Sequence, residues 1–540
     1  MHGLMMHRPL LQGELLDYAA EGFPEAEVVS RRVEGDTHRQ SYGETRARAV
    51  QLSFALERLG ITGGDRVATL AWNGHRHLEL YNGISNIGAI CHTINPRLSA
   101  EQMIYIIRHA GDRLLFVDLT FVPLVEAIKQ HFPDLRYVIM TDAAHMPENR
   151  LDAFCYEDLL QGENSQRVWP EFDEGTASGL CYTSGTTGNP KGVLYSHRSN
   201  VLHAFSVAAT IGPDLGKQPR ILPVVPLFHV NAWGLPFYAP LAGASLIMPG
   251  PYLDGASLWD LCEAESVQSA WGVPTIWQGL HAEIVTRGRK PAALRHVVVG
   301  GSAMPRSLTA AFEDMGIDVN HAWGMTETSP LGSQGSLTAK QMYLPRERRL
   351  DLKSAQGRRV YGVDMKLVDE DGTCQPHDGE AMGRLFVRGN TVASAYYRNE
   401  QASADAIDAD GWFATGDVAS IAPGGVLTIR DRAKDLIKSG GEWISSIDLE
   451  NLAIAHPKIA QCAVIAMPHP KWGERPLLVV KSVAPDDPAT LDDIKTLLSA
   501  HLAQWQMPDD LVFVEDMPLT ATGKISKLTL RERFADHPMP

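Results

Sequence analysis

Thr183-Ser184-Gly185-Thr186-Thr187-Gly188-Asn189-Pro190-Lys191-Gly192 decides the fold, and the apolar run Gly179-Leu180-Cys181-Tyr182 feeds it as a strand. Two hydroxyl pairs, three glycines and a lysine follow one another without a single acid. Glycines let backbone N–H groups turn toward one point, and hydroxyls and an ammonium add donors, so the loop suits a polyphosphate. The Walker A spacing is absent. Taken alone, such a loop is more often an ordinary surface turn. Its company along the chain gives it weight.

Outward from this loop, from about residue 45 to 330, short apolar runs alternate with helical patterns. Arg66–Ala71, Leu114–Asp118, Tyr137–Thr141, Ala244–Met248 and Arg295–Gly300 read as strands. Tyr42–Leu59 and Ala100–Ala110 read as helices, with apolar residues three and four apart. Such alternation predicts an α/β fold of layered, largely parallel sheets. Around residues 355–430 valine-rich short strands, broken at Asp371-Gly372, Gly379 and Pro423-Gly424-Gly425, predict a small antiparallel or β-barrel-like unit. A boundary falls near Asp431–Lys434, giving a large N-terminal domain over 1–431 and a small α+β domain over 432–540. In that tail Asp448–Ala455 and Leu491–Trp505 read as helices, and Gln461–Ala466 and Leu477–Lys481 as strands. About 110 residues suffice for a core of its own. The charged linker fits a hinge better than a floppy tether.

The 540 residues are 44% apolar and 21% charged, the composition of a globular chain of several domains. A net charge of −15 opposes general binding to nucleic acid or anionic membrane. The six cysteines (91, 155, 181, 262, 374 and 462) are scattered without a C-x-x-C, as expected of reduced thiols in the cytoplasm. No apolar run approaches the roughly 18 residues of a membrane span. Glu14 and Asp17 stand where a signal peptide needs an apolar core.

Four further stretches join the loop. Gly300-Gly301-Ser302-Ala303-Met304-Pro305 follows three valines, and its glycine pair permits close approach of a flat group such as adenine. His321-Ala322-Trp323-Gly324-Met325-Thr326-Glu327-Thr328 offers a hydroxyl and a carboxylate to phosphate and a divalent ion. Gly411-Trp412-Phe413-Ala414-Thr415-Gly416-Asp417 sets one acid after a tight turn, and Pro518-Leu519-Thr520-Ala521-Thr522-Gly523-Lys524 lifts a lysine near the chain's end.

These five stretches, in this order over nearly the whole chain, resemble the adenylate-forming superfamily of acyl-CoA synthetases, amino-acid adenylation domains and firefly luciferase. Pro226-Leu227-Phe228-His229-Val230-Asn231-Ala232-Trp233 and the length resemble the medium-chain fatty acyl-CoA synthetases, a branch that includes bacterial 3-methylmercaptopropionate–CoA ligases.

The resemblance implies two half-reactions. A carboxylate attacks the α-phosphate of ATP, giving acyl-adenylate and pyrophosphate; the thiol of coenzyme A then attacks the acyl carbon and expels AMP. By position, Thr183, Ser184, Gly185, Thr186, Thr187 and Lys191 would hold the β/γ-phosphates. Thr326 would contact the α-phosphate, and Glu327 would ligate Mg²⁺. Gly301, Ser302, Ala303 and the run His321, Ala322, Trp323, Gly324 and Met325 would line the adenine side. Asp417 would take the ribose hydroxyls, with Arg432 nearby. Lys524 would bridge carboxylate and α-phosphate. His229, at the mouth of the acyl site, would join Val230, Trp233, Gly300, Gly301 and Pro330 as its lining. The C-terminal domain would turn about Lys434 between half-reactions, bringing Ser439, Gly440, Gly441, Glu442 and Trp443 to coenzyme A. Lys471-Trp472-Gly473-Glu474 is a further candidate contact. The family also implies a homodimer.

Plain alternatives stand beside these roles. His229 after a Pro/Leu/Phe run also reads as a packed core histidine, and Trp323 as a core tryptophan. His75 and His77 lack a third metal ligand, and no H-E-x-x-H occurs. Ser184 lacks the G-x-S-x-G setting of a hydrolase nucleophile. Arg346–Arg349 with Lys353 reads as a solvated basic loop, and Leu491–Trp505 as packed on its own sheet. Among functions, a ligase making acyl-CoA from a short- to medium-chain acid leads. Its rivals are a medium- or long-chain synthetase, an enzyme loading a separate carrier protein, and a luciferase-like oxygenase. An inactive nucleotide-binding regulator would have lost Lys524, Glu327 or Asp417, and all three are present.

Overall fold

The computed structural model describes residue 1 and residues 3–183, 189–520 and 524–540. Among the described residues, two large sheets carry the N-terminal part. The 7-stranded sheet is built on parallel pairing of Arg66–Leu70 with Ile90–Thr93 and Asp112–Val117, and of Ile90–Thr93 with Ala177–Tyr182. It ends in an antiparallel hairpin of Ala177–Tyr182 and Gly192–Ser196, whose connection is the glycine- and threonine-rich loop. Thr183 N–H donates to the Lys191 carbonyl (2.9 Å) and closes the loop's base. Residues 184–188 lie outside the described residues.

The 13-stranded sheet is parallel from Glu27–Arg31 through Ser245–Met248, Arg220–Pro223, Ser269–Gly272 and His296–Val299 to Asp318–Gly324. It then turns antiparallel at Leu331–Gln334. The strands expected over 355–430 are antiparallel. They hydrogen-bond onto this edge through Gly357–Arg359, so they extend the large sheet.

Helix His75–Ser85 is buried on every side because it packs against helix Tyr42–Arg58 and strands of both sheets. Tyr42–Arg58 begins where expected: Ser41 Oγ accepts the Glu44 N–H, and the Glu44 carboxylate accepts the Ser41 N–H (2.7 Å). Ala100–Ala110 has the expected bounds, capped by Ser99 and ended by Gly111 at φ +70°.

In the tail, the long hairpin Ile459–His469 and Gly473–Ser482 takes Asp510–Phe513 in parallel. Its strands alternate: Cys462, Val464 and Leu478 face one core with helices Ser446–Ala453 and Leu491–Leu498, while Ala463, Ile465 and Leu477 face Leu530 of helix Lys527–Arg533. The helix expected to run to Trp505 stops at Leu498. Ser499 Oγ donates back to the Thr496 carbonyl, a bond that competes with the helix ladder, and Gln504–Gln506 forms a separate 3-10 turn.

Two further expectations change. The basic stretch Arg346–Arg349 lies on helix Arg346–Ser354 rather than in a loop, and Lys353 is buried between Glu313 and Asp318 because its charge is matched there. His75 stacks on His38 (4.0 Å), and His77 bonds Thr69 and the Trp72 carbonyl, so both are accounted for without a metal. All six cysteines are unpaired. Among the described residues no helix is long and apolar enough to cross a membrane.

Candidate active site

A cavity of about 350 Å³ opens at the carboxyl ends of the parallel strands. Three chain segments reach it directly from strand ends: Thr183 after Ala177–Tyr182, Gly300-Gly301 after His296–Val299, and Met325-Thr326-Glu327 after Asp318–Gly324. Ligands of open α/β sheets bind outside such ends, where loops diverge and leave a crevice.

The cavity lining brings together Thr183, Lys191, Thr326, Glu327 and Lys524, the residues expected to meet the phosphates and their ion. Lys524 arrives from the far end of the chain on a turn closed by Thr520 N–H to the Lys524 carbonyl (2.6 Å) and Lys524 N–H to Thr520 Oγ1 (3.2 Å). The remaining residues of that turn, 521–523, lie outside the described residues. A Cβ on Gly301 would stand 3.1 Å from Lys524 Cε, and Gly301 has φ +84°. Glycine there gives the lysine its place. Burial pushes the Lys524 ammonium down to about 8; Arg432 adds to this and Asp417 opposes it.

Glu327 is buried, which raises its carboxyl above the ordinary range. The Tyr396 hydroxyl donates to Glu327 Oε1 (2.7 Å). Tyr195 donates to the Thr326 carbonyl (2.7 Å) and Ala393 N–H to the Glu327 carbonyl (2.7 Å), so this short segment is held from two sides. Among the described residues no three His, Cys, Asp or Glu side chains converge to hold a metal. One buried carboxylate in a cavity also lined by Thr183, Thr326, Lys191 and Lys524 nevertheless fits Mg²⁺, an ion that takes most of its oxygens from phosphates and water.

Asp417 receives Arg432 Nε at Oδ1 (2.9 Å) and Trp323 Nε1 at Oδ2 (2.9 Å). Trp323 lines the cavity and lies over Gly332, where a Cβ would meet its ring at 2.4 Å. The bond to Asp417 and the place in the wall separate it from a plain core tryptophan. Ala322, Gly324, Met325 and Arg432 join the wall. His321 is buried behind it, its imidazole pushed down to about 4 by burial. Ser302 and Ala303 lie on the loop past Gly301 and are not part of the wall.

The residues expected to line the acyl side, His229, Val230, Trp233, Gly300, Gly301 and Pro330, all line this cavity, on a backbone that the sequence did not foretell. Val230, Asn231, Ala232 and Trp233 have φ of 39°, 58°, 47° and 55°, a left-handed turn ended by Gly234 at 79°. Non-glycine residues pay about 1–2 kcal/mol each for this conformation, so the surroundings must impose it. They do. Asn73 Oδ1 accepts the Leu227 N–H (2.6 Å) while its Nδ2 donates to the Pro223 and Val225 carbonyls. The Tyr81 hydroxyl lies 2.7 Å from the Leu227 carbonyl and 3.0 Å from Asn231 Oδ1. Asn231 and Gly234, both tolerant of positive φ, were the signal for the turn. The turn aims His229, Val230 and Trp233 into the cavity, beside Val207, Ile211 and Pro330. The Trp233 indole occupies the space beside Gly300, 3.1 Å from where a Cβ would be. The glycine pair thus seats two of the protein's own side chains, Trp233 and Lys524. Burial, with the Lys524 charge adding to it, pushes His229 down to about 3, so it is a neutral imidazole.

Ser439–Trp443 forms a hairpin of Ile437–Ser439 and Glu442–Ile444 with Gly440 and Gly441 at its turn, and it is not part of the cavity wall. Gly440 N–H donates to the Trp472 carbonyl (2.8 Å). Lys434 is exposed between the last long strand of the large sheet and this hairpin.

A model of the AMP-binding enzyme family matches residues 16–397, and one of the AMP-binding enzyme C-terminal domain matches residues 448–524. The chain belongs to the AMP-binding enzyme family. It is 48% identical to a 3-methylmercaptopropionyl-CoA ligase of Ruegeria lacuscaerulensis, over 99% of both chains. It is 47% identical to a medium-chain-fatty-acid–CoA ligase of Ectopseudomonas oleovorans, over 99% of this chain and 98% of that one. The fold is that of an anthranilate CoA ligase solved with anthranoyl-AMP (TM-score 0.86, 24% identity, 97% of this chain and 98% of that one). The two matched segments cover the motif stretches 183–192, 226–233, 300–305, 321–328 and 518–524, while the stretch 411–417 lies between them.

Proposed function

We propose that this ATP-dependent, AMP-forming acid–CoA ligase activates a short- to medium-chain carboxylic acid, with 3-methylmercaptopropionate within its range. The observation that supports the size is Trp233, whose indole lies in the cavity wall and takes up length that a long chain needs. A polarizable sulfur suits a cavity edged by indoles. Two relatives support this reading by name, one a 3-methylmercaptopropionyl-CoA ligase and one a medium-chain-fatty-acid–CoA ligase, while a third, 45% identical, is named for long-chain acids.

In the first half-reaction the acid's carboxylate oxygen attacks the α-phosphorus and pyrophosphate leaves. Thr183, Ser184, Gly185, Thr186, Thr187 and Lys191 hold the β/γ-phosphates, Thr326 the α-phosphate, and Asp417 with Arg432 the ribose. Glu327 is the protein's ligand to Mg²⁺, which when bound neutralises phosphate charge. Lys524 lies between the attacking carboxylate and the α-phosphate and offsets their repulsion as they meet. Neutral His229 lines the acyl side without adding charge that would draw the carboxylate away. In the second half-reaction the coenzyme A sulfur bonds the acyl carbon and AMP leaves with the bonding pair. That step needs Lys524 withdrawn and the Ser439–Trp443 hairpin brought up, a rotation of residues 432–540 against 1–431 about Lys434. Six unpaired cysteines, all buried but Cys374, support a cytoplasmic setting, and the resemblance to the family supports a homodimer.

A pyrophosphate-release screen over butyrate, octanoate, dodecanoate and 3-methylthiopropionate, with and without coenzyme A, tests the substrate. The expected kcat/KM maximum lies at or below C8; a maximum at C12 or beyond refutes the short-acid reading.

Lys434→Pro tests the hinge. On either side of Lys434 the chain is pinned: Asp431 accepts Ser446 N–H (2.7 Å) and Oγ–H (2.6 Å), and Asp435 pairs with Arg531 (2.7 Å). Proline fixes φ, so adenylation should proceed while thioester formation falls at least about tenfold. Both single-turnover rates near wild type would move the hinge elsewhere.

A further inference from the structure

Tyr396 has no part in the five motif stretches, yet it lies between two groups of opposite charge in the cavity. Its hydroxyl donates to Glu327 Oε1 (2.7 Å), and Lys191 Nζ lies over its ring, 4.9 Å from the centroid. Among the described residues no ion pair joins Lys191 to Glu327, although the Lys191 charge is near enough to favour the Glu327 carboxylate. The segment that carries Tyr396 is stitched to both neighbours through the backbone. Ala393 N–H donates to the Glu327 carbonyl (2.7 Å), and Tyr397 N–H to the carbonyl of Gly192 (2.8 Å), which follows Lys191. The ring is buried edge-on to Phe413 (6.1 Å) and forms part of the cavity wall.

We propose that Tyr396 is a positioning residue that keeps Lys191 and Glu327 apart and aimed into the cavity, so that ATP and its divalent ion find both free to bind. The proposal rests on the assignment of Lys191 to the phosphates and of Glu327 to the ion. Left adjacent in a poorly solvated cavity, an ammonium and a carboxylate attract each other strongly. Such a pair would neutralise the cation that phosphate needs and occupy a carboxylate oxygen that the ion needs. A phenol satisfies both with weaker partners, a ring face for the ammonium and a hydroxyl for the carboxylate. Incoming phosphate and metal displace these more easily than a full counter-charge. Tyrosine is the side chain that offers both contacts from one rigid ring. Phenylalanine keeps only the first, and leucine neither.

Two variants separate the contacts. Tyr396→Phe should leave ATP affinity in EDTA, measured by calorimetry, within about twofold, because the ring face remains. It should weaken Mn²⁺ binding to the enzyme–ATP complex, read as free Mn²⁺ by electron paramagnetic resonance, by about tenfold, and raise half-saturating Mg²⁺ for pyrophosphate release to match. Tyr396→Leu should show the same metal defect and also lose about fivefold in metal-free ATP affinity. A tyrosine that only fills space would lower the melting temperature without dividing the two affinities between the variants. Unchanged Mn²⁺ binding in a folded Tyr396→Phe overturns the proposal, and this arm decides it even if the leucine variant does not fold. Lys191→Ala and Glu327→Gln distinguish the two levels. If Lys191→Ala leaves ATP affinity unchanged, or Glu327→Gln leaves Mn²⁺ binding unchanged, the underlying assignment falls and the proposal with it. If both respond while the tyrosine variants do not, the assignment stands and Tyr396 is excluded. The binding arms require neither the acid nor coenzyme A, and only the pyrophosphate-release readout uses the acid.

Discussion

Lys524→Ala should reduce acyl-adenylate formation from acid and ATP by about 10²–10³, the usual effect of deleting a charge partner of the transition state. The same enzyme should still turn supplied acyl-adenylate and coenzyme A into thioester at close to the wild-type rate. The contrast follows from geometry. Lys524 reaches the cavity only through a turn closed at Thr520 and the space above Gly301, and rotation of the tail would remove it. Equal loss in both half-reactions by a folded variant would refute the role. The pH profile supplies a second check. Burial holds the Lys524 ammonium down to about 8, far below its ordinary value. Its charged form is the useful one, so adenylation kcat/KM, which reports the free enzyme, should hold below about pH 8 and decline above it. Lys524→Arg keeps its charge at every working pH and should abolish that alkaline decline, at a lower plateau rate. A decline that persists in the arginine variant belongs to another group.

Most of the architecture was legible because local and tertiary demands agree. The strand runs Leu114–Asp118 and Tyr137–Thr141 are almost wholly apolar, as a strand covered on both faces must be, and they lie inside the 7-stranded sheet. Ala100–Ala110 carries its own cap at Ser99 and its own stop at Gly111, so its ends needed no tertiary information. The stretches that meet at the cavity stood out for a related reason: glycine and hydroxyl residues cluster where strands end, as at Thr183 and at Gly300-Gly301, whose missing side chains leave room for Trp233 and Lys524.

What escaped is what the rest of the molecule imposes. The left-handed turn Val230–Trp233 contradicts the preference of a β-branched valine and a tryptophan, and it exists because Asn73 and Tyr81, about 150 positions away in sequence, fix the carbonyls around it. Tyr396-Tyr397 reads as an ordinary aromatic pair; only the fold brings its hydroxyl to Glu327 and its ring to Lys191. Lys353 looks solvated among arginines until Glu313 and Asp318 come to meet it. In each case a long-range partner overrides a local preference.

Trp233→Ala should move the acyl optimum to longer chains, and the shift should be large. The indole occupies the space beside Gly300, and the cavity wall beyond the reacting groups is otherwise apolar, with Val207, Ile211 and Val298. Each methylene transferred from water into such a wall gains up to about 0.8 kcal/mol, close to fourfold in kcat/KM. Room for four more methylenes therefore multiplies the dodecanoate-to-octanoate preference by roughly two hundred if the space is fully used. Alanine keeps the left-handed strain at this position while removing packing, so the variant's melting temperature must be measured beside its kinetics. Gly300→Ala should act in the opposite sense. Its methyl would stand 3.1 Å from the indole and 3.3 Å from the Ala322 carbonyl; the backbone cannot yield, so the ring must move into the cavity. The optimum should then fall toward butyrate and 3-methylthiopropionate. If Trp233→Ala leaves the ratio of dodecanoate to octanoate unchanged while the enzyme stays folded, the indole is not the floor of the acyl site. Chain length would then be set by α-helical residues such as Val207 rather than by the strained turn.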